Sequence, residues 1–165
     1  METSYLKEIK ATIPGSYDPL TLGHLNIIKR AAKIFSKVIV GVGLNTSKSS
    51  LFTTKEKLKL IQENINDQNN VFVVTIPKLT VDFMKSIHSS VIVRGIRNVK
   101  DYEYERDIAE INRRLGEVET ILLPSRAKYQ DISSSNLKEV AKLGADISHF
   151  VPKNVAYLLK TKLKK

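Results

Sequence analysis

The order of apolar runs along this 165-residue chain predicts a doubly wound parallel sheet of the Rossmann-like α/β class. Short runs rich in Val and Ile recur at residues 9–13, 38–42, 71–76, 91–93 and 120–123, each bounded by turn-forming residues. Helical patterns separate them, at 21–35, from Thr53 or Thr54 onward, at 81–87 and at 102–115. Two more follow at 136–143 and 155–163. Strands that each feed a helix imply crossover connections and a sheet covered on both faces. Thr53 and Glu56 have the spacing of a capping box, which places the start of the second helix. The polar run 64–70 reads as a surface turn region, and no repeat or Gly/Ser-rich linker divides the chain. With 42% hydrophobic residues it suffices for one core, so a single domain over 1–165 is expected.

The formal net charge of +10 points to an anionic partner, for which nucleic acid, acidic lipid and phosphate-rich metabolites all qualify. Lys160, Lys162, Lys164 and Lys165 account for part of that excess and read as a solvated, frayed end. The aromatic residues are scattered and no nucleic-acid motif occurs, which argues against a nucleic-acid module. Without cysteine there are no disulfides, thiolate metal sites or cysteine nucleophiles. The first eight residues lack the apolar run of a signal peptide, and no later stretch approaches a membrane span. A soluble, cytoplasmic protein with no membrane partner is expected.

In open α/β sheets, ligands sit beyond the carboxyl ends of the strands. After the first strand come Pro14-Gly15-Ser16-Tyr17-Asp18-Pro19 and then Thr21-Leu22-Gly23-His24 at a helix start. Gly15 and Gly23 allow backbone to approach a ligand, and free amides at a helix N-terminus favour an anion such as phosphate. The Ser16 hydroxyl and the His24 imidazole suit the same oxygens. His24 also has a structural reading, because it continues the apolar face of Ile28, Ala31 and Phe35. Lys48 and Arg94, each just past a strand, suit phosphate neutralisation or ordinary surface ion pairs. Ser133, Ser134 and Ser135 suit either phosphate oxygens or a helix cap. Asp101, Glu103 and Glu105 at a helix start read as complements to its dipole rather than as metal ligands.

A strand, a Gly-Ser-Tyr-Asp-Pro turn and Thr-x-Gly-His on a helix resemble the nucleotidyltransferase superfamily related to class I aminoacyl-tRNA synthetases. Four further blocks narrow the resemblance: Asn45-Thr46-Ser47-Lys48, Arg94-Gly95-Ile96-Arg97, Asp101-Tyr102-Glu103-Tyr104-Glu105, and Pro124-Ser125 with Tyr129-Gln130-Asp131-Ile132-Ser133-Ser134-Ser135. In this order, over residues 13–152, they resemble bacterial phosphopantetheine adenylyltransferases. Other superfamily acceptors, such as nicotinate mononucleotide or those of cytidylyltransferases, fit less well.

The resemblance implies transfer of AMP from ATP to 4′-phosphopantetheine, giving dephospho-coenzyme A and pyrophosphate without a covalent intermediate. It implies that Ser16 and His24 contact the nucleotide phosphates, with His24 stabilising the transferring group. Lys48 and Arg94 match acceptor-phosphate positions, and Thr80 an acceptor-contacting one. Tyr17, Gly95, Ile96, Arg97 and Glu105 match nucleotide-binding positions, and Tyr129, Gln130, Asp131, Ile132, Ser133, Ser134 and Ser135 match the segment over adenine and triphosphate. It further implies Mg²⁺ carried on the triphosphate with no protein metal ligand, and a homohexamer. Three departures occur: Ser16 for the usual Thr, Tyr17 for the common Phe, and Thr46 for the Pro that often precedes Ser-Lys.

Overall fold

The computed structural model describes residues 8–44 and 50–163. Five parallel strands, β1 (Lys10–Gly15), β2 (Lys37–Gly43), β3 (Val71–Ile76), β4 (Val91–Ile96) and β5 (Glu119–Pro124), form one sheet in the order β3-β2-β1-β4-β5. The connecting helices are α1 (Leu22–Ala32), α2 (Thr54–Asn64), α3 (Thr80–Ser86) and α4 (Val99–Gly116). After β5 come a single 3-10 turn (Ala127–Tyr129), α5 (Ser134–Lys142) and α6 (Lys153–Leu163). All five expected strands and all six expected helices are present. The α/β class therefore stands as read.

Element ends differ where caps decide them. α1 stops at Ala32 rather than continuing to Phe35, because the amides of Ile34 and Phe35 both turn back to the Ala31 carbonyl. α4 begins three residues earlier than its apolar pattern, because the Asn98 side chain accepts the Asp101 amide at 2.9 Å and caps it. Thr53 and Glu56 form the expected capping box, with the Thr53 amide donating to Glu56 at 2.7 Å.

The larger core lies on the face covered by α1, α2, α5 and α6, where Ile28, Val38, Val40, Ile61 and Val155 are wholly buried. A smaller one, Val81, Met84, Ile92 and Val118, lies under α3 and α4. Gly95 of β4 sets the approach of α1: a Cβ there would meet Ile27 Cγ1 at 2.9 Å. Ile27 is one turn beyond His24, so the same close packing brings the imidazole over the end of β4.

The strand order reverses between β1 and β4, and the two part there. β1 pairs with β2 along its whole length, but with β4 only at Ala11↔Val91 and Thr12↔Ile92. Their carboxyl ends therefore diverge, leaving the crevice in which a doubly wound sheet binds ligands.

Thr120 of β5, opposite Ile92, carries a buried hydroxyl with no hydrogen-bond partner among the described residues. An unpaired buried hydroxyl forfeits its hydration, so Thr120→Val should stabilise the protein by about 1 kcal/mol. The expected result in a thermal melt is a midpoint raised by roughly 2–4 °C.

Candidate active site

Two cavities open at the divergence of β1 and β4. The larger, about 480 Å³, runs between the sheet and α4 and is lined by Gly43, Leu44, Thr80, Tyr104, Ile108 and Asn112 among others. The smaller, about 260 Å³, lies toward α1 and is lined by Thr21, Gly23, His24, Arg97, Tyr129 and Ile132 among others. Pro14, Gly15, Ser16, Arg94 and Glu105 border both. The β1 turn and one arginine are thus the partition between two chambers.

The Thr-x-Gly-His motif is physically a capping box in which an imidazole takes the place of the usual carboxylate. The Thr21 side chain accepts the His24 amide at 3.2 Å, and the Thr21 amide donates to His24 Nδ1 at 3.1 Å. A backbone N–H can only donate, so Nδ1 is unprotonated and the ring proton sits on Nε2. Burial, reinforced by the positive charges of Arg94 and Arg97, lowers the His24 pKa to about 4. His24 is therefore a neutral donor near pH 7. His24 is half-buried, with its ring edge-on to Tyr17 at 5.0 Å, and it also lines the smaller cavity.

Arg94 is fixed on three sides. Its Nε and Nη2 donate to the two oxygens of Glu105 at 2.9 and 2.7 Å, and Nη1 donates to the Pro14 carbonyl. The last bond spans the gap between the parted strands. Glu105 is buried, and this bidentate pair orients the guanidinium while leaving N–H groups for a ligand oxygen. Arg97 is held likewise: it binds Asp101 through Nε at 2.8 Å and Nη2 at 3.0 Å, and its Nη1 donates to the Ile132 carbonyl at 3.0 Å. Hydrogen bonding from Arg97 keeps the Asp101 carboxyl below the ordinary carboxylate range.

Of the other residues singled out in the sequence, Ser16 is exposed on the partition and Thr80 opens α3 at the larger cavity. Tyr17, Gly95, Tyr129 and Ile132 line the smaller cavity. The Tyr17 hydroxyl, however, donates to the Ile13 carbonyl at 2.8 Å, and burial raises its pKa, so the hydroxyl is already committed within the fold. Ile96, Gln130, Asp131, Ser133, Ser134 and Ser135 line neither cavity. Ser133 caps α5 and Ser134 donates to the Pro19 carbonyl at 3.0 Å, while Ser135 is exposed. Lys48 lies outside the described residues. Among these residues no cluster of three or more His, Asp or Glu is placed to hold a metal.

Asn112 and Ser125 also border the cavities. Asn112 sits two turns beyond Glu105 on the same face of α4, a spacing that marks it once Glu105 is placed. Ser125 belongs to the Pro124-Ser125 block quoted for the resemblance, although no role was read for it.

Residues 12–140 match the model of the cytidylyltransferase-like family. The phosphopantetheine adenylyltransferase of Oenococcus oeni is 65% identical over 156 residues, covering 94% of this chain and 99% of that one. That of Leuconostoc mesenteroides is 55% identical over 154 residues, covering 93% and 95%. Among solved structures, a bifunctional NMN adenylyltransferase/ADP ribose pyrophosphatase from Francisella tularensis superposes with a TM-score of 0.72 at 14% identity, over 96% of this chain and 50% of that one. That likeness concerns the fold alone. The near-complete coverage by close relatives, together with a capping-box histidine and a braced arginine at the sheet's switch point, identifies the chain as a member of the phosphopantetheine adenylyltransferase family.

Proposed function

We propose that this chain transfers the adenylyl group of ATP to 4′-phosphopantetheine, giving dephospho-coenzyme A and pyrophosphate. The observation that carries the reading is the shared partition: a nucleotide in the smaller cavity and an acceptor in the larger would meet at Ser16 and Arg94. A phosphate oxygen of the acceptor attacks the α-phosphorus. As that P–O bond forms, the bond to the bridging α,β oxygen breaks and pyrophosphate leaves. The ionised acceptor needs no general base, so the protein contributes position and charge stabilisation.

In this reading His24 donates its Nε2–H to the α-phosphoryl oxygens, and its neutrality keeps that donor unchanged across physiological pH. Arg94, with Lys48 from the sequence, holds the acceptor phosphate, while Ser16 orients the nucleotide from the partition. The larger cavity, lined with apolar and a few polar groups, suits a long flexible arm. Tyr129 and Ile132 offer a surface for the base. The carboxylates of Glu105 and Asp101 are committed to Arg94 and Arg97, which supports Mg²⁺ entering on the triphosphate rather than in a protein cage. The ion would offset phosphate charge.

A homohexamer and a cytoplasmic location belong to the same proposal. The exposed apolar side chains of Ile111 and Leu115 on α4 are compatible with burial between copies. No helix among the described residues is long and apolar enough to cross a membrane.

The decisive experiment measures pyrophosphate released from ATP and Mg²⁺ with equal concentrations of 4′-phosphopantetheine, pantetheine and nicotinate mononucleotide. The first should react, pantetheine should not because it lacks the attacking oxygen, and the mononucleotide should be much slower. Preference for the mononucleotide would move the acceptor assignment elsewhere. His24→Ala should lower transfer by ~10²-fold or more while the protein stays folded.

The His24 environment also sets a pH dependence. Its pKa lies near 4 when folded and 6.5 as an ordinary histidine, so the unfolded chain takes up the proton first as pH falls. The stability contributed by keeping this ring neutral is therefore full above pH 6.5 and is lost as pH drops toward 4. In an NMR titration the His24 ring signals, identified by their absence in His24→Ala, should stay in place from pH 8 to 5. A titration midpoint near 6.5 would refute the buried neutral donor.

A further inference from the structure

Asp18 lies outside both cavities but directly follows the partition, and only 7% of it is exposed. Its carboxylate accepts the amides of Leu51 at 2.9 Å and Phe52 at 3.0 Å and the Lys138 ammonium at 2.8 Å, with Lys57 Nζ at 4.0 Å. These contacts hold its carboxyl below the ordinary range despite burial. Three segments far apart in sequence therefore converge on one carboxylate: the β1–α1 turn, the lead-in to α2, and α5.

The link to α5 is two-pronged. Ser134 and Lys138 are one helical turn apart on the same face. Ser134 grips the Pro19 carbonyl at 3.0 Å, and Lys138 grips the neighbouring Asp18 carboxylate. The turn they grip is itself strained, since Tyr17 has φ 50°, a left-handed conformation disfavoured for a bulky residue. The first turns of α5, capped by Ser133, are thereby tied to the turn that leads into α1, capped by Thr21. The start of α1 borders the smaller cavity through Thr21 and His24, and the residue just before the α5 cap, Ile132, borders it from the other side.

We propose that the Asp18–Lys138 pair is a positioning clip that fixes the start of α5 relative to the Ser16–His24 turn and so shapes the nucleotide cavity. This rests on the reading of that cavity as the ATP site. Asp18 lines neither cavity. A surface ion pair would be too weak for the task, but here the carboxylate is buried, and removing Lys138 takes away its one close cation, leaving two amides and Lys57 at 4.0 Å. The turn and α5 then lose their common anchor, and the nucleotide must supply the ordering itself on binding.

The test is a double-mutant cycle of Lys138→Met and Asp18→Asn, with Lys138→Arg as the conservative control. It is read as ATP affinity by calorimetry and as separate KM values for ATP and acceptor. Lys138 also engages elsewhere, so the cycle, rather than either single change, isolates the pair. Lys138→Met should weaken ATP roughly tenfold while kcat and the acceptor KM stay within about twofold, and Lys138→Arg should recover most of the loss. The double variant should bind ATP no more weakly than Asp18→Asn alone. Unchanged ATP affinity in folded Lys138→Met, an equal rise in both KM values, or multiplying effects in the double variant would overturn the clip. If Asp18→Asn does not fold, the Met and Arg comparison at position 138 decides. A wild-type protein that binds ATP but releases no pyrophosphate would count against the function, and the calorimetry would still decide the clip.

Discussion

The site depends on Arg94 spanning the gap where β1 and β4 part. A doubly wound sheet must diverge at its switch point, and divergence leaves backbone groups without strand partners. Arg94 answers both needs: its Nη1 takes the Pro14 carbonyl, and its other donors lock onto Glu105 of α4. The crevice is therefore open but braced. Because the brace is cationic and borders both chambers, the group that holds the sheet ends together is also one suited by its charge to an anion.

His24 shows the same economy. A capping box satisfies amides that any helix start leaves unpaired, and here that local requirement fixes the imidazole tautomer. The cap is a structural necessity, and a ring proton left on Nε2 is its chemical consequence. Burial first, and then the charges of Arg94 and Arg97, keep the ring neutral, because a third positive charge at this desolvated position is unfavourable. Charge in this site resides on the arginines and hydrogen-bond donation on the histidine.

The carboxylates follow a complementary rule. Glu105, Asp101 and Asp18 each have a cation as partner, Arg94, Arg97 and Lys138 respectively. Acidic groups near a phosphate site repel substrate unless neutralised. Paired in this way, they orient cations without adding negative potential. The excess positive charge of the chain is consistent with such a site.

Local physics was legible in the sequence. Val and Ile runs gave the strands, capping spacing gave the start of α2, and the Thr-x-Gly-His order placed His24 at a helix N-terminus, since these depend on neighbours a few residues apart. The ends of α1 and α4 were missed by three residues because caps, not apolar faces, terminate helices. Glu105 read as a dipole complement or a nucleotide contact, and only the fold showed it bound to Arg94 across the α4–β4 interface. Asp18 stood only as part of the Gly-Ser-Tyr-Asp-Pro turn with no role of its own, since its partners lie 33, 34 and 120 positions away. Sequence alone determined the class of fold, the family and the residues gathered at the strand ends. Tertiary structure decided which of those side chains face a ligand and which hold one another, because that choice depends on strand divergence and on contacts between segments that no local pattern encodes.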